Sequence, residues 1–116
     1  MPSINVVTGS AVETRAEDIL HAVQSAMEIG LGVPDWDRDI ALNFYEPRHR
    51  YVPAGKDPAL YTRIEIILYE GRTAELKQKL YRQMIVNFAK LEFPEAEFKV
   101  ILIEMPCENW GIGGQL

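Results

Sequence analysis

A strand–helix–strand pattern occurs twice in this chain, and this recurrence restricts the fold more than any other feature. In the first copy, a β-branched run at Ile4–Thr8 is followed by a helical apolar stripe and by alternating residues at 40–45. In the second copy, strand-like residues at 63–69 precede another apolar stripe and a last strand at 98–104. Crossovers of this length predict parallel strand pairs with right-handed connections.

Capping signals predict where the two helices begin and end. Thr14–Glu17 has the form of a capping box, which predicts the start of the first helix. Gly30, Gly32 and Pro34 are expected to end it. Thr73 is predicted to cap the second helix.

Two tandem βαβ units predict an α+β fold with a four-stranded sheet and both helices on one face. The chain of 116 residues is predicted to be one domain. Residues 1–46 form the first unit, 47–61 a connection rich in proline, and 62–116 the second unit with a C-terminal hairpin. The glycine-rich tail Asn109–Gly114 also suits a strand that reaches a neighbouring subunit.

The second face of this sheet would carry no helix. Strands two and three place a mixture of apolar and polar side chains there: Ala41, Asn43, Tyr45, Arg63, Glu65, Ile67 and Tyr69. A sheet face with this much apolar content is normally covered by a partner. The pattern therefore predicts a homo-oligomer, most simply a ring.

Composition excludes several classes of function. A net charge of -5, with 12 Lys and Arg against 17 Asp and Glu, argues against a nucleic-acid partner. The sequence shows no signal segment and no apolar run near the length of a membrane span, so we expect no membrane association and a cytoplasmic location. Cys107 is the single cysteine, and His21 and His49 are far apart, so we expect no metal or other cofactor.

The N-terminus offers unusual chemistry if Met1 is removed. Pro2 would then carry a free secondary amine, and α-amino groups titrate near pH 8, well below lysine. A modest further lowering of its pKa leaves such an amine unprotonated and able to act as a general base. If Met1 is retained, the Pro2 nitrogen is an amide. The alternative role of Pro2 is simply to begin an edge strand.

Three segments resemble the tautomerase superfamily, typified by 4-oxalocrotonate tautomerase: Glu70–Thr73, Ile103–Pro106 and Glu108–Gly114. Residues 62–116 carry most of the likeness. The doubled length is similar to that of members in which two short units are fused, including cis-3-chloroacrylic acid dehalogenase and malonate semialdehyde decarboxylase. The resemblance implies a homotrimer that works without a cofactor through its N-terminal proline.

The resemblance also implies roles for individual residues. Pro2 matches the catalytic proline, and Arg72 matches the arginine that binds the substrate carboxylate. Trp110 matches an aromatic residue that lines the pocket. Tyr69 is a further candidate for substrate binding that the resemblance does not supply, and both aromatic residues also suit a core or an interface. Asp37 lies in a segment similar to the one that supplies the decarboxylase's acidic residue, but this charged segment is most simply a solvated turn.

Two departures from the family pattern affect the predicted reaction. The dehalogenase and the decarboxylase use a second arginine near Arg72, where this chain has Tyr69 and Glu70. The dehalogenase's histidine is also replaced, by Met27 and Glu28. These differences favour tautomerisation, disfavour dehalogenation and leave decarboxylation open.

The leading hypothesis is enol–keto tautomerisation of a 2-oxo acid. One alternative is hydration or decarboxylation of a small carboxylic acid with Asp37 beside Pro2. Another is a non-catalytic trimer that binds a partner or a small acid, if Met1 is retained. The basic segment Arg48–Arg50, with Lys56, could draw anionic substrates, but it is expected to be a solvated loop.

Overall fold

The computed structural model describes residues 2–115, which form four strands and two α-helices. In chain order these are β1 (Ser3–Gly9), α1 (Ala16–Leu31), β2 (Ile40–Tyr45), β3 (Thr62–Tyr69), α2 (Ala74–Ala89) and β4 (Phe98–Met105). All four predicted strands are confirmed and extend by at most one residue at either end. Met1, on whose removal the proposed chemistry depends, lies outside the described residues.

The strands form one mixed sheet in the order β2-β1-β3-β4. The outer pairs, β1–β2 and β3–β4, are parallel, and the central pair, β1–β3, is antiparallel. The predicted α+β fold with tandem βαβ units is therefore confirmed. Because the central strands run in opposite directions, the start of β1 lies at the same end of the sheet as the end of β3.

Both helices cover the same face of the sheet, and the core lies between them and the strands. The largest fully buried side chains come from both layers: Val6, Ile19, Val23, Met27, Ile64, Ile66, Leu68, Leu80, Met84 and Phe88. The helices approach closely at Gly30, where an added Cβ would lie 2.7 Å from the Leu80 Cα. Gly30 therefore permits helix contact within α1 rather than ending the helix, which ends at Gly32 in the left-handed conformation (φ +71°).

The predicted capping box at the start of α1 is wrong. Residues Ser10–Arg15 form a 3₁₀ helix that runs directly into α1, so Thr14 lies inside a helical turn. The Ala16 N–H donates to the Glu13 carbonyl, and the Arg15 guanidinium donates to the Leu91 carbonyl beyond α2. The cap on α2 is confirmed, because the Thr73 hydroxyl accepts a hydrogen bond of 3.2 Å from the Leu76 N–H.

The second face of the sheet, which we call the bare face, carries the odd-numbered side chains of all four strands. Several apolar residues on it remain well exposed, with Ile67 at 37%, Ile101 at 37% and Ile103 at 39%. At its centre the Asn5 amide donates to one Glu65 carboxylate oxygen at 3.2 Å, and Arg63 Nε donates to the other at 2.8 Å. The Asn5 hydrogen bond, followed by the Arg63 interactions, outweighs partial burial and holds the pKa of Glu65 below its usual value.

The predicted C-terminal hairpin is not formed in the described part of the tail. Residues 106–115 contain a 3₁₀ turn at Cys107–Asn109 and a turn at Gly113–Gly114, with no strand. Gly114 has a positive φ of 86°, which suits a turn rather than a paired strand. The other prediction, that this tail reaches a neighbouring subunit, stays open. Of the described helices, none has both the length and the apolar content needed to cross a membrane.

Candidate active site

Pro2 lies at the end of the sheet where four chain segments meet. It is buried, and it directly precedes the central strand β1. Ser3 pairs with Ile67 of β3, so Pro2, one residue earlier, lies beside the last residues of that strand. On the other side of β1, the Ile4 N–H donates to the Asp39 carbonyl at 2.9 Å, where the chain enters β2. The structure therefore sets the start of β1 between the end of β3 and the start of β2.

Arg72 occupies the turn between β3 and α2, at this same end of the sheet. Its Nη1 donates to the Tyr69 carbonyl at 3.3 Å, which anchors the half-buried guanidinium to the last residue of β3. The first turn of α2 follows at once, after the Thr73 cap. A guanidinium fork next to a helix N-terminus is well suited to hold a carboxylate, by paired hydrogen bonds and by the favourable end of the helix dipole.

Tyr69 and Trp110 form an aromatic pair next to Arg72. Their ring centroids are 5.2 Å apart at an interplanar angle of 64°, an edge-to-face contact. Both side chains are half-buried, and the Trp110 Nε1–H is buried with no acceptor among the described residues. A buried donor of this kind normally has a partner, so an acceptor from outside the described chain would complete it. The structure thus brings together three of the sequence-predicted residues, Arg72, Tyr69 and Trp110.

An ion pair between α2 and β4, near the Gly71–Arg72 turn, was missed by sequence reasoning. Lys77 of α2 donates to Glu104 of β4 at 2.6 Å, and both side chains are about a quarter to a third exposed (26% and 30%). Lys77 above all, with the Gly71 N–H and the charge of Arg72, holds the pKa of Glu104 below its usual value. Glu104 forms its ion pair with Lys77 and none with Arg72. The ion pairs among residues 2–115 leave Arg72 without a carboxylate partner, so its remaining donors are free for a ligand.

The acidic turn before β2 reaches the same end of the sheet from the β2 side. Asp37 is half-buried, and its contacts are made by its backbone: its N–H donates to the Pro34 carbonyl at 3.0 Å, and its carbonyl accepts from Gln24 at 3.3 Å. Asp39 is in closer contact with β1, because its carboxylate accepts a hydrogen bond of 2.6 Å from the Ser3 hydroxyl.

Sequence reasoning missed Asp39 as well as the pair Lys77–Glu104. The signal for Asp39 was its position directly before β2, since two parallel neighbouring strands begin at one edge of a sheet. For Lys77 and Glu104, only the packing of α2 against β4 reveals the contact, and no sequence spacing indicates it. Within residues 2–115, no three His, Cys, Asp or Glu side chains come close enough to hold a metal ion.

Taken together, this end of the sheet combines a guanidinium without an acidic partner, an aromatic wall and the start of the strand that follows Pro2. Such an arrangement can bind a small carboxylate at Arg72 and shield it with Tyr69 and Trp110. An amine at Pro2, if free, would lie at the same end. These are the parts needed for proton transfer on a small carboxylic acid.

Comparison with known proteins gives consistent results. The family model described as "Tautomerase enzyme" matches residues 38–113, well over half of the chain. A 2-hydroxymuconate tautomerase from Pseudomonas sp. (strain CF600) is 38% identical over 52 residues, which is 44% of this chain and 82% of that protein.

Two solved structures share nearly the whole fold. The FG41 malonate semialdehyde decarboxylase inhibited by 3-bromopropiolate superposes with a TM-score of 0.86 at 22% identity, covering 98% of this chain and 91% of the other. The F6 fused 4-OT wild-type asymmetric trimer superposes with a TM-score of 0.84 at 23% identity, covering 97% and 94%. At these identities the two superpositions establish the fold, whereas the family follows from the sequence match. By its sequence and its fold, this chain belongs to the tautomerase family.

Proposed function

We propose that this protein is a cofactor-independent tautomerase that interconverts the enol and keto forms of a small 2-oxo acid. Pro2, with Met1 removed, is the general base, and Arg72 binds the substrate carboxylate. The observation that carries the proposal is the antiparallel pairing of β1 with β3. Pro2, which precedes Ser3, therefore lies beside the end of β3, and the carbonyl of the last β3 residue, Tyr69, accepts a hydrogen bond from Arg72. The family membership and the similarity to a 2-hydroxymuconate tautomerase support the reaction class.

In the proposed reaction, the Pro2 nitrogen takes a proton from the enol hydroxyl or from an adjacent carbon. It then returns a proton elsewhere on the conjugated system, so the enzyme ends each cycle unchanged. Arg72 holds the carboxylate and stabilises the negative charge that develops on the neighbouring oxygen. Tyr69 and Trp110 exclude water on one side, which strengthens these electrostatic interactions. The direct test is to follow the decay of the enol absorbance of phenylenolpyruvate with and without the protein.

We also propose that the functional form is a homotrimer in which the apolar part of the bare face, on β3 and β4, is covered. The exposed isoleucines Ile67, Ile101 and Ile103 support this, since apolar surface of this extent normally meets a partner. One structural relative of the same fold is itself a fused 4-OT trimer.

An acidic residue on the bare face should break this assembly. Ile103 lies next to Ile67 in the strand register, so Ile103→Asp would bury a charge against an apolar surface in the trimer. We expect analytical ultracentrifugation to show trimers for the wild type and monomers for Ile103→Asp. Val86→Asp is the matched control, because Val86 is similarly exposed (47%) but lies on α2. Equal dissociation of both variants, or a monomeric wild type, would contradict the proposed interface.

A second candidate reaction is decarboxylation or hydration of a small acid. It is favoured by the position of Asp37 at the end of the sheet where β1 begins, and by the structural similarity to a malonate semialdehyde decarboxylase. In that reaction the Asp37 carboxylate would orient water or hold the proline ammonium.

Replacing Asp37 by asparagine separates the two reactions. A tautomerase should keep its rate on phenylenolpyruvate within a few-fold, because the carboxylate takes no part in that proton transfer. A decarboxylase or hydratase should lose about 10²-fold or more, the loss typical of a missing acid–base group. Asp35→Asn is the control, because Asp35 lies in the same turn and is more exposed. If the wild type decarboxylates malonate semialdehyde and Asp37→Asn does not, decarboxylation rather than tautomerisation is the main activity.

A further inference from the structure

A second cleft lies at the opposite end of the sheet from Pro2. It has a volume of about 200 Å³ and is bordered by the end of β1, the end of β2 and the start of β3. Its polar and aromatic walls are formed by Tyr45, His49, Arg50, Tyr51, Tyr61 and Arg63, and we call this site the cationic cleft. The volume is below the range of about 300 Å³ and above that drug-sized ligands use. The cationic cleft therefore suits a small ligand.

The charges in the cationic cleft are all of one sign. Two arginines line it, and its lining includes no acidic residue, although the chain as a whole carries a net charge of -5. Arg63 is partly neutralised, since its Nε donates to Glu65 at 2.8 Å. Arg50 has no such carboxylate partner among residues 2–115. A local excess of positive charge on an acidic protein favours an anionic ligand.

Arg50 is held in place by the protein and still has an unused donor. Its Nη2 donates to the Pro58 and Tyr61 carbonyls, at 2.8 Å in each case. Its Nε is buried with no acceptor among the described residues. Burial, and then the positive charge of Arg63, lowers the pKa of Arg50. The negative charge of an anion bound between the two guanidinium groups would offset both effects, because it favours the protonated form of each arginine.

The two ends of the sheet are built alike, because the two βαβ units run in opposite directions around the β1–β3 pair. After β4, a 3₁₀ turn at Cys107–Asn109 leads to Trp110. After β2, a 3₁₀ turn at Pro47–His49 leads in the same way to Arg50. Each turn is closed by an N–H donating three residues back, His49 to Glu46 and Asn109 to Pro106, at 2.9 Å in both. Arg50 thus takes the place that Trp110 has at the first end.

We propose that the cationic cleft is a second, non-catalytic binding site for a small carboxylate with a flat apolar body. Arg50 and Arg63 bind the carboxylate, and the rings of Tyr45, Tyr51 and Tyr61 hold the apolar part. Tyr51 is fully exposed (105%), so its side chain is available to close over a ligand without loss of existing packing. The proposal does not depend on the reaction at Pro2.

The cationic cleft lacks the group that would make it reactive. The strand at this end is β3, and the residues in the place of Pro2 are Tyr61 and Thr62. Their nitrogens are peptide amides in the middle of the chain, and the Tyr61 N–H donates to the Asp57 carbonyl at 2.8 Å. An amide nitrogen cannot take a proton near neutral pH. A carboxylate bound in this cleft would therefore be held without being converted.

Calorimetric titration with benzoate tests the proposal on the full-length protein. The wild type should bind two benzoates per chain, one at Arg72 and one in the cationic cleft. Arg72→Gln should bind one, and the double variant Arg72→Gln/Arg63→Gln should bind none in the same concentration range. Loss of one charge-assisted contact is expected to lower the affinity of the cationic cleft for benzoate by about tenfold or more.

Two further variants keep the test independent of folding. In the Arg72→Gln background, Tyr51→Ala should lower the affinity of the cationic cleft for benzoate. It should leave the melting temperature unchanged, because the Tyr51 side chain is fully exposed. Arg48→Gln is the matched control, since Arg48 lies outside the cleft, is paired with Glu46, and has a side chain that is 75% exposed. In the same Arg72→Gln background, Arg48→Gln should leave the affinity for benzoate unchanged.

Three outcomes would overturn the proposal. The first is a single benzoate per wild-type chain that is lost completely in Arg72→Gln. The second is unchanged binding in both the Arg63→Gln and the Tyr51→Ala variants. The third is binding of inorganic phosphate but not of benzoate in the Arg72→Gln background, which would exclude a carboxylate with an apolar body as the ligand class.

Discussion

A form of the protein that retains a residue ahead of Pro2 is expected to lose nearly all activity on phenylenolpyruvate. Retention converts the Pro2 nitrogen into an amide, which removes the proposed general base. General acid–base groups contribute about 10² to 10⁴-fold to rate, so we expect a loss in that range. The measurement compares kcat/KM for two preparations whose N-termini are established by intact mass, one beginning at Pro2 and one carrying an extension.

The matched control uses a single preparation with a cleavable N-terminal extension. Cleavage that leaves Pro2 first should restore the rate, whereas cleavage that leaves one extra residue should not. Both products should have the same melting temperature and the same oligomeric state, because Pro2 precedes β1 and adds no strand pairing of its own. Full activity in the extended form would show that the reaction does not use the proline nitrogen.

Replacing Arg72 by glutamine is expected to lower kcat/KM by about 10² to 10³-fold, the range found when one donor to a developing negative charge is removed. The physical reason is that Arg72 is the cation at this end of the sheet that is anchored to β3 and has no acidic partner among the described residues. Steady-state kinetics on phenylenolpyruvate should show a raised KM together with a lowered kcat, since the same group binds the substrate and stabilises the transition state.

Arg82→Gln is the control for Arg72→Gln, because Arg82 is an exposed arginine on α2. It should change kcat/KM by less than a few-fold. A further check is the pH dependence, since kcat/KM should rise as Pro2 loses its proton. Removing the positive charge of Arg72 should move this rise to higher pH, because a nearby cation disfavours the ammonium form. An Arg72→Gln variant with wild-type kinetics would exclude Arg72 from the site.

The strands and helices could be predicted because each carries a local signal. Alternation in residues 63–69 and the threonine at position 73 are properties of neighbouring residues, and both were confirmed in β3 and at the start of α2. The start of α1 could not be predicted in the same way. Thr14 has the spacing of a capping box, but residues Ser10–Arg15 form a 3₁₀ helix that runs directly into α1, and Arg15 donates to the Leu91 carbonyl across the fold.

The closeness of Tyr69 and Arg72 could be predicted, because they are three residues apart at the end of one strand, and the structure adds the contact of Trp110 with Tyr69. The roles of these residues in a reaction stay predictions. The contacts that depend on sheet order were not predictable. The Ser3–Asp39 hydrogen bond requires β2 to lie next to β1.

The basic segment before β3 shows the same limit of local reasoning. Arg48 is a solvated side chain, as expected for that loop, with a side-chain exposure of 75%. Arg50, two residues later, folds back onto the Pro58 and Tyr61 carbonyls and lines the cationic cleft. Two neighbouring arginines with the same local composition thus differ in environment because of where the connection returns to the sheet.

The central claim is that the protein works through a free, unprotonated proline nitrogen near Arg72, and an NMR titration of that nitrogen tests it most directly. In protein labelled with ¹⁵N, the Pro2 signal should titrate with a pKa below about 8, the value for an ordinary α-amino group. The same pKa should appear in the pH profile of kcat/KM, and it should rise in the Arg72→Gln variant. A Pro2 nitrogen that shows no titration across the neutral and mildly alkaline range, in protein that remains active, would contradict the account.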